Sequence, residues 1–220
     1  YNMPGVLRLE GEPDAARLEQ AFRALIRRHE ALRTAFTLRD GVPVQRIAPK
    51  EAPPEFTLPR IRVQGEAEAR QAARAFIRPF DLEQAPLLRA ALVDEGGNRH
   101  RLLVDMHHIV SDGVSTAILL EELSRLYNGE GEALPELRIQ YKDYAVWQQS
   151  ETGSERVRAQ EAYWLERLKG ELPVLDLPAD RTRPAVFSYT GGVVHFTLGA
   201  ERTGGLKRLA LRTGATLYMV

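Results

Sequence analysis

Two histidines, His107 and His108, stand side by side ahead of a short turn that holds Asp112 and Gly113. A neutral imidazole beside a reacting amine can accept or relay a proton near neutral pH. Residues 101–106 read as a strand, and neighbouring strand side chains leave on opposite faces, so only one of the two histidines can face a given cavity. Asp112 stands where it could orient an imidazole or organise the turn. Gly113 permits backbone geometry or a close approach that a side chain would block, and the helix start after it offers N–H groups suited to a developing oxyanion. The same spacing fits two hydrogen-bonded structural histidines, so the residues alone leave chemistry and support both open. Metal is disfavoured, because a closed site needs three or four ligands and the neighbourhoods of His29 and His195 supply no obvious set.

The elements that must position this turn follow from periodicity. Residues 6–10 alternate as a strand with Leu7 and Leu9 on one side. Asp14 then caps a helix whose Leu18, Phe22, Leu25, Ile26 and His29 recur at steps of three and four, ending near Arg28 or His29. Residues 34–38 and 42–47 form a hairpin through Asp40-Gly41. Residues 49–59, rich in proline, are expected to be a surface connection, followed by a short strand at 60–63 and a helix at 66–77 stopped by Pro79. Strands at 87–93 and 101–106 pair across residues 95–98, and the second delivers the histidines. After Gly113, the spacing of Ile118, Leu119, Leu123, Leu126 and Tyr127 predicts a helix closed by Asn128-Gly129. Downstream, helices are expected at 140–149, 155–168 and 201–211, an extended crossing segment at 172–184, and a strand at 193–198. Strands and helices without βαβ alternation predict an α+β fold, a mixed sheet packed with helices.

Composition limits the partners. Thirty Lys plus Arg balance thirty Asp plus Glu, so no net field favours nucleic acid or an anionic membrane. Absence of Cys excludes disulfides, thiolate zinc sites and a cysteine nucleophile, and fits a reducing, cytoplasmic setting. No apolar run approaches the roughly 18–20 residues of a membrane span. Tyr1-Asn2-Met3-Pro4 resembles no signal peptide, and both ends read as cuts through a longer chain.

MHHIVSDGVS at 106–115 resembles the signature of nonribosomal peptide synthetase condensation domains. RHEALRTAF at 28–36 and YKDYAVW at 141–147 match two further motifs of that family in the same order. The resemblance covers the whole chain. It implies one chloramphenicol-acetyltransferase-like lobe at 1–190, with 191–220 as the crossover and beginning of a second lobe, the rest of which is missing. It also implies amide-bond formation between a donor acyl thioester and the amine of an acceptor aminoacyl thioester. Both substrates ride on phosphopantetheine arms of carrier proteins, the domain itself binds no cofactor or metal, and an adenylation domain is a neighbour. By the same resemblance, His108 is the active-site residue, acting as a general base or as a positioning group. Asp112 makes a structural salt bridge to Arg28 or Arg33, with Arg28 preferred.

Around these residues, His107 is expected to support the backbone from the opposite face, and Ser115 to cap the following helix. Tyr141, Asp143 and Trp147 are expected to pack and hydrogen-bond locally, as aromatics at helical spacing usually serve a core. His100 and His195 are assigned no chemistry, and Glu30 no role. The nearest alternative is an epimerization domain, which usually has Trp after the motif Ser, where Thr116 stands here. A free-standing acyltransferase of the same superfamily is a second, and a non-catalytic binding lobe a third. The isolated chain is expected to bind without turnover.

Overall fold

In a computed structural model, residues 1–174, 178, 180–182, 184–186, 188 and 191–220 are described. Two compact units result, Tyr1–Arg167 and Leu168–Val220. The expected boundary at 190/191 and most of the expected crossing segment at 172–184 involve residues outside the described set.

In the first unit, strand β1 (Asn2–Glu10) runs antiparallel to β6 (Arg99–His107) along its whole length, from Asn2 opposite His107 to Glu10 opposite Arg99. β6 pairs antiparallel with β5 (Leu88–Asp94), and β5 parallel with the short β4 (Arg60–Arg62), giving the order β1-β6-β5-β4. This is the expected mixed sheet. The hairpin of β2 (Thr34–Arg39) and β3 (Val42–Ile47) stands as a separate two-stranded sheet. Asp40 and Gly41 both take positive φ, 53° and 78°, the geometry that lets a two-residue turn match strand twist.

Helix α1 (Ala15–Arg28) begins where the Asp14 side chain accepts the Arg17 N–H at 3.0 Å. Its face of Leu18, Phe22, Leu25 and Ile26 packs with α3 (Gly113–Tyr127), through Leu119 and Leu123, on one side of the sheet. Leu88, Ala90, Leu92, Leu102, Val104 and Met106 supply the sheet side of that core. On the other face, Ala91, Val93 and Leu103 meet Ala73 and Phe76 of α2 (Glu66–Phe76). Alternate residues of β6 therefore enter different cores, as the two-residue period requires.

The proline-rich stretch at 49–59 departs from expectation. Phe56 and Leu58 are buried, and the Phe56 ring stacks on Phe22 with centroids 5.2 Å apart. Glu19 fastens the segment by accepting the Leu58 N–H at 2.8 Å. Prolines made it look like surface, while two apolar side chains reach the α1 face that the short sheet leaves open.

Helices α4 (Tyr141–Ser150) and α5 (Glu155–Arg167) complete the first unit. In the second, α6 (Ala200–Thr213) ends at Gly214, which adopts the left-handed conformation. The strand expected at 193–198 does not form: its β-branched pattern is there, but it pairs with no strand among the described residues, and Val193, Val194 and Phe196 are exposed. A strand needs a neighbour for its backbone groups, which pattern alone does not provide.

Candidate active site

β6 delivers the two histidines with its alternation intact. Met106 enters the α1/α3 core, whereas His107 turns to the opposite face and meets the edge of Phe80, ring centroids 6.1 Å apart. His107 is fully engaged in shaping the turn: its Nδ1 accepts the Ile109 N–H at 3.0 Å, and its carbonyl accepts Val110 N–H and Ser111 Oγ–H. Burial pushes its pKa below the ordinary imidazole value.

Behind His107 lies a charged layer that the linear motif does not reveal. Asp105, two residues earlier on the same strand face, is fully buried and receives Asn2 Nδ2 at 2.6 Å and Arg89 Nη2 at 2.9 Å. The Arg89 guanidinium lies 3.8 Å over the Phe80 ring that touches His107. An ion pair on β5 and β6 thus backs the strand end from which His108 leaves.

His108 follows the last strand residue. Its N–H donates to the Tyr1 carbonyl at 2.8 Å, so the β1–β6 pairing continues to the point where the side chain projects. That side chain lines an open cavity of about 600 Å³ and has no hydrogen-bond partner among the described residues. The cavity is walled by the β6–α3 turn, the end of α1, the β2–β3 hairpin, α3, and the segment entering α4. His107 does not line it, so the two histidines separate as alternation predicts.

Asp112 is not salt-bridged to either candidate arginine. Its Oδ1 accepts the Ser115 N–H and the Ser115 hydroxyl, each at 2.7 Å, making it the N-cap of α3. These Ser115 donors hold the Asp112 carboxyl below the usual carboxylate range. Asp112, not Ser115, is therefore the cap, and its negative charge already answers the positive end of α3, leaving that end poorly suited to an oxyanion. Gly113 has no steric need to be glycine within this chain: a Cβ there would meet nothing within 4 Å.

The two arginines have other partners. Arg28 Nε reaches Glu122 Oε2 at 3.0 Å, and its Nη2 donates to the Pro135 carbonyl at 2.6 Å. Arg33 is buried, donates to the carbonyls of Arg27 and Ala48, and approaches Glu30 at 3.7 Å. The turn carrying Asp112 is satisfied locally, so no arginine is drawn to it.

Glu122 is the residue that sequence reasoning missed. It is buried in α3, lines the cavity, and receives Arg28 together with His29, whose Nε2 is 2.6 Å from Glu122 Oε2. A signal existed: Glu122 falls beside Ile118, Leu119 and Leu123 on the apolar stripe of α3, where an unpaired carboxylate would be costly. Glu30 is also more than a local pair, since its Oε1 takes Lys142 Nζ at 2.7 Å across to α4.

The start of α4 is tied down by Gln140. Its side chain donates to the Arg28 carbonyl at 3.0 Å and accepts the Glu30 N–H at 3.1 Å, while its own N–H goes to Asp143 at 2.8 Å. Asp143 therefore bonds locally, as expected. Tyr141 and Trp147 do not serve a core: Tyr141, Tyr144 and Trp147 step along α4 with centroids 5.8 and 5.7 Å apart, and α4 buries no residue. Their helical spacing gave them each other as neighbours.

No group of three or more metal-ligating side chains, and no helix long and apolar enough to cross a membrane, occurs among the described residues.

The family model described as "Condensation domain" matches residues 1–220. One plipastatin synthase of Bacillus subtilis (strain 168) is 56% identical over 221 residues, covering 100% of this chain and 8% of that protein. Among solved structures, the complex of the X-domain and OxyB from teicoplanin biosynthesis aligns with a TM-score of 0.81 at 28% identity, over 98% of this chain and 48% of that one. The first condensation domain of the calcium-dependent antibiotic synthetase, in complex with a substrate analogue, aligns with a TM-score of 0.76 at 27% identity, over 99% and 52%. The chain thus spans about half the length of these solved chains and under a tenth of that synthase.

Proposed function

The chain belongs to the condensation-domain family, and from that premise we propose that it supplies the His108 wall of an amide-forming site in a nonribosomal peptide synthetase. The donor is an acyl or peptidyl thioester and the acceptor an aminoacyl thioester, each on the phosphopantetheine arm of a carrier protein. The observation that carries this reading is the division of labour at the end of β6. His107 is consumed by the turn, while His108 projects unbonded into the cavity.

The acceptor nitrogen attacks the donor carbonyl, the C–N bond forms, and the C–S bond breaks. His108 takes the proton that the nitrogen sheds on acylation and passes it to the departing thiolate. The Asp112 cap and the His107 bonds hold the turn, so His108 needs no reorganisation to act. His107, Asp112, Arg28 and Arg33 support this site without touching substrate.

Residues 1–190 form the first lobe of the domain in this proposal, and 191–220 lead into a second lobe that completes the site. Upstream and downstream carrier proteins and an adenylation domain are its partners, and the cytoplasm its compartment. The chain alone binds without turnover. The test is amide formation from two loaded carriers by the complete two-lobed domain. His108→Ala should abolish product while far-UV and near-UV spectra stay unchanged. Undiminished product would remove His108 from the chemistry.

A second reading is a lobe that binds a partner and catalyses nothing. Its support is the X-domain relative, which was solved in complex with OxyB. Product from the wild-type domain decides against it.

A further inference from the structure

The cavity contains a second imidazole, His29, that the step assigned to His108 does not use. Amide formation from an aminoacyl thioester removes two protons from the acceptor nitrogen. An α-amino group titrates at about 8, so at pH 7 roughly nine-tenths of it arrives as ammonium with no lone pair to attack. One proton must leave before attack and a second after it. His108 cannot hold both during one passage.

The other ionisable groups around the cavity are already committed. Glu30 is bound by Lys142 and approached by Arg33, Asp112 caps α3, and Glu122 is held by Arg28. Lys142 is itself a cation in an ion pair. His29 differs in that one ring nitrogen is engaged and the other has no partner among the described residues. With the Glu122 carboxylate 2.6 Å from Nε2, the neutral ring carries its proton there and its lone pair on Nδ1. That arrangement, a buried carboxylate fixing the tautomer of an imidazole at a cavity wall, prepares a proton acceptor.

The backbone contributes as well. His29 is the C-cap of α1, where φ −97° and ψ 114° take it out of the helix. The negative end of the α1 dipole favours an imidazolium there, as does the Glu122 charge, partly offset by Arg28.

We propose that His29, oriented by Glu122, takes the first proton from the acceptor ammonium, leaving the free amine to attack the donor thioester under His108. The inference rests on the amide-forming reading above. The ammonium N–H bond breaks, its electron pair remains on nitrogen, and the proton moves to His29 Nδ1 and then to solvent. No oxidant or further co-reactant is needed.

The experiment follows kcat/KM for the acceptor-loaded carrier from pH 6 to 9 in the complete domain, comparing wild type with His29→Gln. At pH 7 the variant should be slower by about tenfold, the deficit set by the scarcity of free amine. At pH 9 the two should converge. A deficit constant across pH marks a structural role and overturns the proposal, as does no deficit at all. If His29→Gln does not fold, ¹⁵N spectra of histidine-labelled wild-type domain decide instead. A neutral His29 protonated on Nε2 supports the proposal, and one protonated on Nδ1 overturns it. Absence of amide product from the wild type at every pH removes the amide-forming reading and this inference together.

Discussion

Replacing Glu122 by Ala tests the buried charge cluster most directly. Its side chain is 11% exposed, and those of Arg28 and His29 are 17% and 23% exposed, so the cluster lies between a surface pair and a fully buried one. Breaking a buried pair from one side costs about 3–5 kcal/mol, and a surface pair contributes about 0–1. Arg28 would lose its carboxylate but keep the Pro135 carbonyl. We therefore expect Glu122→Ala to destabilise by about 2–3 kcal/mol. Urea unfolding of the domain, followed by tryptophan fluorescence and far-UV circular dichroism together, should show the midpoint fall by about 1 M for a slope near 2–3 kcal/mol/M. Arg28→Met should cost less alone than Glu122→Ala, and the double variant Arg28→Met/Glu122→Leu should recover much of the loss, with a coupling of about 1–2 kcal/mol. A loss under about 1 kcal/mol with additive single effects would mean that water already screens the cluster, and the burial argument would fail.

Asp112→Asn should retain the cap and nearly all stability, whereas Asp112→Ala should lower the melting temperature; equal losses from both would restore the idea of a salt bridge in place of a cap. Because the Asp112 pKa is depressed in the folded chain, its contribution is present above the unfolded carboxylate value and is lost as pH falls through the folded one. Unfolding midpoints of wild type and Asp112→Ala should thus converge at low pH, and a constant gap would contradict this. The His107 pKa is also depressed, so stability should be greatest above the unfolded imidazole value and fall as pH drops through the folded one, a decline that His107→Gln should lessen. Phe22→Ala, at a fully buried ring stacked on Phe56, should cost about 3–5 kcal/mol by chemical denaturation.

Where periodicity controls structure, sequence and fold agree. The apolar stripe of α1, the turn pair Asp40-Gly41 and the alternation along β6 each depend on residues close in the chain, and each forms as expected. Alternation alone is enough to say that the two histidines face apart. Partner choice is less legible because it depends on which distant elements meet. Arg28 finds Glu122 across 94 positions, not Asp112, and Lys142 finds Glu30 across 112. Composition misleads at 49–59, where Phe56 and Leu58 outweigh the surrounding prolines, and at 193–198, where β-branched residues have no strand beside them among the described residues. Ring spacing on α4 indicates contact correctly but not burial.

Gln140 gives the cavity a mechanical property. By bonding the Arg28 carbonyl and the Glu30 amide, it fastens the entrance of α4 to the end of α1 beside His29. The start of α4 cannot swing away without exposing those two backbone groups to solvent. Rim and floor should therefore open as one cooperative unit, their amide hydrogens exchanging at a common rate. A carrier arm pressing on the 137–142 segment would strain the helix end that holds the second imidazole, linking entry of the substrate to the alignment of the groups that meet it.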